Sequence, residues 1–136
     1  SRGSAAPVGG SGIVIIRRPT IDYSGIDDIT LQSTATTAEA VPTTADLVVL
    51  IEDNAGSATV NTDIKGYISR DGSAFSSAVT FVDEGDWGTN KRILVARNVD
   101  ISGIASGTSM KYKLTTHNQS ASSKETHIHA TSLAWA

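Results

Sequence analysis

Apolar and polar residues alternate with a period of two along most of the chain, which predicts β-strands rather than helices. Residues 109 to 115 alternate apolar side chains with polar ones, as expected for a strand with one face toward solvent. The strongest predicted strand is 46–53, a nearly continuous apolar run that ends at the turn signal Asn54-Ala55-Gly56. No stretch repeats apolar residues at the helical spacing over three turns, so we expect almost no helix.

Turn signals separate the remaining predicted strands. Asp71-Gly72 indicates a tight hairpin, because both residues tolerate the positive φ of such a turn. The acidic, glycine-containing stretch from Glu84 to Gly88 is typical of a loop. The other predicted strands are 13–16, 63–70, 78–82, 92–97 and 126–135. Together they predict an all-β fold, a single antiparallel β-sandwich of about eight strands preceded by an extended N-terminal arm.

The 136 residues correspond to roughly one domain, and the chain divides by composition into three parts. Residues 1–18, the N-terminal arm, are rich in small residues and hold a short apolar strand (Ile13, Val14, Ile15 and Ile16) followed by Arg17 and Arg18. Residues 19–45 form a Thr/Ala-rich, acidic connecting segment that we predict to be a loop or weak strand. Residues 46–136 form the predicted sandwich. Because the chain begins at Ser1 rather than Met, we expect a processed product, a piece of a longer protein or an expression scar.

Composition and charge exclude several classes of function. The chain has no cysteine, which rules out disulfides, a thiolate nucleophile and a cysteine-based zinc site. A net charge of −3 argues against binding to nucleic acid. No apolar run approaches about 18 residues, so we expect no membrane insertion. Residues 19–64 carry eight acids and no Lys or Arg, whereas residues 1–18 carry three Arg and no acid. Such a charge separation suits contact between chains, although solvated acidic loops would give the same pattern.

Two parts of the sequence resemble structural proteins of tailed-phage particles. Residues 9–17 (GGSGIVIIR) are similar to a segment that follows glycine-rich regions in tail-fibre and other virion proteins, especially those of marine phages. A second set of segments resembles a C-terminal β domain of such proteins: 63–72, 80–85, 91–95, 99–103, 106–113 and 132–135. The resemblance implies a protein of the particle surface or a tail appendage, whose partners are other copies of itself, as a trimer, and other virion proteins.

His127 and His129 form the sharpest local pattern, because residues i and i+2 of a strand point to the same face. We predict that they share that face with Thr131, Leu133 and Trp135. Two neighbouring imidazoles can bind a transition metal. The pair is similar to the His-x-His of trimeric phage spikes, in which three chains hold one ion on the threefold axis. We therefore expect an ordinary polar strand face and no cofactor. The alternative is an iron or zinc ion bound by the histidines of three chains on a trimer axis.

Acidic and aromatic residues suggest two further kinds of site. Glu52-Asp53 and Asp83-Glu84-x-Asp86 could supply oxygen ligands to Ca²⁺, but acids at these positions are more commonly turn formers. Trp87 follows Asp86 in the predicted loop, where an exposed indole could stack on a sugar, with Tyr67 as an additional contact. The alternative is that Trp87 folds back over the end of the sandwich.

Catalysis has little support. No serine lies in a Gly-x-Ser-x-Gly turn, and no Gly-rich loop precedes a helix that could bind phosphate. We therefore expect a non-enzymatic virion protein, a tail-fibre or appendage component that assembles through Ile13–Arg18 and binds a host surface glycan. A capsid decoration protein and a free-standing carbohydrate-binding module are the alternatives.

Overall fold

The computed structural model describes residues 12–16 and 27–136 and shows an all-β sandwich, which confirms the predicted fold class. The strands are β1 (Gly12–Ile16), β2 (Thr30–Gln32), β3 (Thr36–Thr37), β4 (Thr44–Ala55), β5 (Ile64–Ser69), β6 (Val82–Gly88), β7 (Lys91–Asp100), β8 (Ser109–Thr116) and β9 (Glu125–Trp135). Every pairing between these strands is antiparallel. Within the described ranges there is no helix that is long and apolar enough to cross a membrane.

The five-stranded sheet has the order β1-β9-β4-β7-β6, so β4, which contains the strongest predicted strand, lies at its centre. Alternate residues of β4 face the core and are buried, namely Ala45, Leu47, Val49 and Ile51. The intervening residues are half-buried on the outer face of this sheet. The run predicted as the strongest strand therefore carries apolar side chains on both faces of the sheet.

The second sheet is organised around β8, which pairs with β5 along one edge and with β2 and then β3 along the other. Met110, Tyr112 and Leu114 of β8 are buried, as their alternation predicts. The two sheets are also joined by a polar contact inside the sandwich, where Thr131 Oγ1 of β9 donates a hydrogen bond to the Tyr112 hydroxyl at 2.6 Å.

The connecting segment 19–45 contributes to this architecture wherever it is described. Its two short strands, β2 and β3, pair with β8 of the same chain, and Ala38 lies in the core. The apolar run of the N-terminal arm also forms a strand, since β1 pairs with β9 from Gly12 opposite Trp135 to Ile16 opposite Thr131. Arg17 and Arg18 lie outside the described residues.

The structure corrects two predictions near the Asp71-Gly72 turn. The chain turns here, with Gly72 at φ +81° and the Asp71 carboxylate accepting hydrogen bonds from the Ser73 and Ala74 amides, but it forms no β-hairpin because the strand that pairs with β5 is β8. Of the predicted partner strand 78–82, only Val82 lies in a strand, because residues 78–81 follow β5 irregularly, with the Val79 amide donating to the Gly66 carbonyl, and seat the buried Phe81 ring against Gly66.

The prediction of a loop over 84–88 is also wrong, since these residues belong to strand β6. All seven residues of β6 are exposed, so they lack the apolar alternation that would have indicated a strand. The strand pairs with β7 in a broken register. Arg97 on β7 adds an ion pair to Glu84.

Candidate functional site

A β-bulge in β9 determines where its two histidines point. Ile51 of β4 pairs with Ile128, whereas the preceding Leu50 pairs with Ala130, so His129 is an extra residue with no partner on β4. A bulge of this kind shifts the alternation of side chains by one position.

The bulge separates the histidines from the core residues that follow them. His127 and His129 lie on the outer face of the five-stranded sheet, while Thr131, Leu133 and Trp135 are buried in the sandwich. The prediction that all five share one face is therefore wrong. Its physical reason is the residue inserted at position 129, which strict alternation does not allow for.

The outer face brings a carboxylate to the two imidazoles. Glu52 of β4 stands directly opposite His127 of β9 in the register. Its Oε1 atom lies 2.7 Å from His129 Nε2 and 3.9 Å from His127 Nδ1. One ligand atom from each of the three residues lies within 4.8 Å of the others. We call Glu52, His127 and His129 the His/Glu cluster.

The His/Glu cluster is largely shielded from solvent. The side chains are 25% exposed for Glu52, 14% for His127 and 12% for His129. Trp87 lies beside it, with its ring edge-on to His129 at a centroid distance of 5.2 Å. The indole is fixed in place, because its Nε1 donates to the backbone carbonyls of Ile51 and Arg92 at 3.3 and 3.2 Å.

The aromatic residues predicted to bind sugar are not brought together. Trp87 is 37% exposed on the outer face of the five-stranded sheet, with Asp86 beside it in β6. Tyr67 lies on the outer face of the other sheet, where the Lys113 amine is 4.6 Å from its ring centroid. A sugar site in this structure would therefore draw on Trp87 and Asp86 without Tyr67.

The acids considered for Ca²⁺ are mostly bound to arginines. Arg92 donates from Nε to Asp53 at 2.9 Å and from Nη1 to Asp83 at 3.2 Å. Burial of Arg92 disfavours its charge, but the hydrogen bonds and negative charge of Asp53 and Asp83 outweigh this and raise the pKa of the guanidinium. Glu84 pairs with Arg97. These carboxylates are thus neutralised by side chains of the protein.

Glu52 is the residue of the cluster that sequence reasoning missed as a partner of the histidines. It lies 77 positions before His129, and only the pairing of β4 with β9 brings the two together. Two imidazole nitrogens and one carboxylate oxygen form a donor set that suits zinc and other first-row transition metals.

Comparison of the chain with protein-family models, with curated proteins and with solved structures finds no match in any of the three.

Proposed function

We propose that this chain is a non-enzymatic structural component of a tailed-phage particle, a tail-fibre or similar appendage protein that assembles through its N-terminal arm. The observation that carries the proposal is the position of β1. The segment that resembles phage virion proteins includes the strand that completes the edge of the five-stranded sheet. An appendage protein needs a connecting element of this kind.

Strand β1 has the properties of an exchangeable element. It pairs with β9 over five residue positions, and it forms the outermost strand beside that long strand. Without β1, the outer edge of β9 would present a row of unpaired backbone groups, which invites pairing with another chain. Backbone pairing is the same whether the strand comes from the same chain or from a neighbouring copy. We therefore propose that copies join by exchanging β1.

A truncation series tests this proposal. The full chain, a chain lacking residues 1–11 and a chain lacking residues 1–18 would be compared by size-exclusion chromatography with light scattering. We expect the first two to be oligomeric, with a trimer as the expected state, and the third to be monomeric. Circular dichroism checks that each chain keeps its β structure. If the chain lacking 1–18 assembles like the full chain, the N-terminal arm is not the connector.

The location in the particle separates a fibre from a capsid decoration protein. The decoration alternative is favoured by the combination of one small sandwich with an N-terminal strand that can be donated to a neighbour. Electron microscopy of particles labelled with an antibody against this chain distinguishes the two. Labels confined to the tail support a fibre or appendage, whereas labels spread over the whole capsid support decoration. Particles that carry no label would contradict both assignments.

Trp87 supports a second activity, binding to a host surface glycan. More than a third of its surface is accessible, and the exposed Asp86 beside it can accept hydrogen bonds from sugar hydroxyls. On a glycan array we expect Trp87→Ala to abolish binding, with a loss in the free energy of unfolding below that of a core tryptophan, because the indole is hydrogen-bonded but only partly buried. A loss of about 3–5 kcal/mol would instead identify Trp87 as a core residue. An unmodified chain that binds no glycan would overturn the proposal.

A further inference from the structure

We propose that Glu52, His127 and His129 of a single chain bind one divalent transition-metal ion of the Zn²⁺ class. The site goes beyond the structural role proposed above and does not depend on it. It also differs from an ion on a trimer axis, because one chain supplies a carboxylate and both imidazoles.

The spacing of the ligand atoms fits such an ion. Zinc binds nitrogen and oxygen ligands at about 2.0–2.1 Å, which places neighbouring ligands of a tetrahedral site about 3.3 Å apart. The Glu52 oxygen lies 2.7 Å from His129 Nε2 and 3.9 Å from His127 Nδ1, so the two distances bracket this value. Small side-chain rotations would equalise them. The ion would replace the proton that the Glu52–His129 hydrogen bond now contains.

The ion-pair partners of Glu52 distinguish it from several other acids of the sandwich. Asp53 and Asp83 are bound by Arg92, Glu84 by Arg97 and Asp63 by Lys124. Within residues 27–136, by contrast, the ion-pair partners of Glu52 are the two histidines. Lys91 is opposite Glu52 in the register, but its amine lies over the Trp87 ring at 5.0 Å from the centroid. Because no lysine or arginine among the described residues neutralises Glu52, its carboxylate can balance the charge of a metal ion.

His127 provides an independent indication. Its Nε2 atom is buried and has no hydrogen-bond partner within the part of the chain that the structure describes. Buried polar atoms in native proteins almost always have a partner, so a turn of the ring that brings Nε2, in place of Nδ1, toward Glu52 and an ion would satisfy this nitrogen. Apart from the weak contact of its Nδ1 with Glu52, no side-chain hydrogen bond fixes this ring among the described residues. It therefore remains free to turn toward an ion.

The rigid surroundings favour binding. All three side chains project from adjacent strands rather than from loops, and the anchored Trp87 ring covers one side of His129. Side chains held in this way lose little conformational freedom when they bind an ion. Three protein ligands leave a fourth position for water or for a group of another molecule.

Calorimetric titration of the untagged, chelator-treated full chain with ZnCl₂ tests the proposal. We expect one ion per chain. Glu52→Gln preserves the shape of the side chain and removes its charge, and His129→Ala removes one ligand. Each change should weaken binding by more than about tenfold, since even changes behind the ligands of metal sites cost about 10- to 100-fold. His117→Ala is the matched control, because His117 bonds to Thr115 away from the cluster. This variant should bind zinc as strongly as the unmodified chain.

Other outcomes would overturn the single-chain site. One ion per three chains would indicate a shared site on a symmetry axis. Zinc binding that survives both Glu52→Gln and His129→Ala would show that the ion is held elsewhere. Equally strong binding of Ca²⁺ would show that the imidazoles contribute nothing. Circular dichroism confirms that the variants fold, and the visible spectrum of the Co²⁺-loaded unmodified chain provides a reading that needs no variant. Absorption typical of octahedral cobalt surrounded by water alone would contradict the proposal.

Discussion

Replacing Asp63 by asparagine should lower the free energy of unfolding at neutral pH, and the loss should almost disappear near pH 2. The Asp63 carboxylate is 1% exposed and accepts three hydrogen bonds. Lys124 Nζ donates to Oδ2 at 2.6 Å, the Thr59 amide to Oδ2 at 2.7 Å, and Asn118 Nδ2 to Oδ1 at 2.7 Å. The buried charge thus ties the loop before β5 to the turn before β9.

The magnitude follows from the pKa of this carboxyl. Burial alone would raise the pKa, but the hydrogen bonds from Asn118, Lys124 and Thr59 and the charge of Lys124 outweigh it and lower the pKa from 3.8 to about 2. The difference stabilises the folded chain by about 2 kcal/mol at pH 7. Because the pKa is lower in the folded state, this contribution is complete above about pH 4 and is lost as the pH falls through about 2.

Asparagine has the same shape but never carries the charge. Its amide can keep neutral hydrogen bonds, because the Asn118 amide can turn and accept from it. The expected loss at pH 7 is therefore the electrostatic contribution, about 2 kcal/mol, which should fall to about 0.5 kcal/mol at pH 2.

Urea denaturation followed by circular dichroism at pH 7 and pH 2 measures both values. Asp86→Asn is the matched control, since Asp86 is an exposed acid and its replacement should change stability by less than about 0.5 kcal/mol at either pH. An equal loss for Asp63→Asn at both pH values would show that shape rather than charge is responsible. No loss at pH 7 would refute the electrostatic argument altogether.

Two further predictions concern packing and buried hydrogen bonds, and urea denaturation measures both. Arg70 is 6% exposed and donates four hydrogen bonds to three loop carbonyls, so Arg70→Lys should cost about 2–4 kcal/mol because an ammonium cannot reproduce the guanidinium fork. A loss below about 0.5 kcal/mol would contradict this. Gly66→Ala should cost about 1–3 kcal/mol, because the added Cβ would lie 2.7 Å from the Phe81 ring. Gly103→Ala is its control, since nothing lies within 4 Å of that position, and equal effects of the two changes would refute the packing argument.

Local pattern was sufficient to predict the strands that bury one face. In β8 and β5 the inward residues are apolar and the outward residues include lysines, so a period of two is visible in the sequence itself. The apolar run 46–53 likewise lies within β4. These predictions depend only on neighbours along the chain, and that is why they are confirmed.

Strand β6 could not be recognised in this way. It buries none of its residues, and its acidic, glycine-containing sequence is typical of a turn. Its place in the sheet depends on backbone pairing with β7 and on ion pairs to Arg92 and Arg97, which are contacts with another strand. The composition of residues 82–88 alone does not indicate these partners.

The bulge in β9, by contrast, leaves a trace in the sequence. Ile128 occupies an even position, whereas Leu133 and Trp135 occupy odd positions, and all three are buried. A strand without an inserted residue would have to expose either the isoleucine or the other two. The change in phase therefore requires an extra residue between 128 and 133, and the structure places it at His129. The same insertion that lets all three side chains reach the core leaves His127 and His129 facing outward, opposite the carboxylate of Glu52. The His/Glu cluster thus follows from the inserted residue, because the bulge that brings Ile128, Leu133 and Trp135 into the core also holds both histidines on the outer face of the sheet.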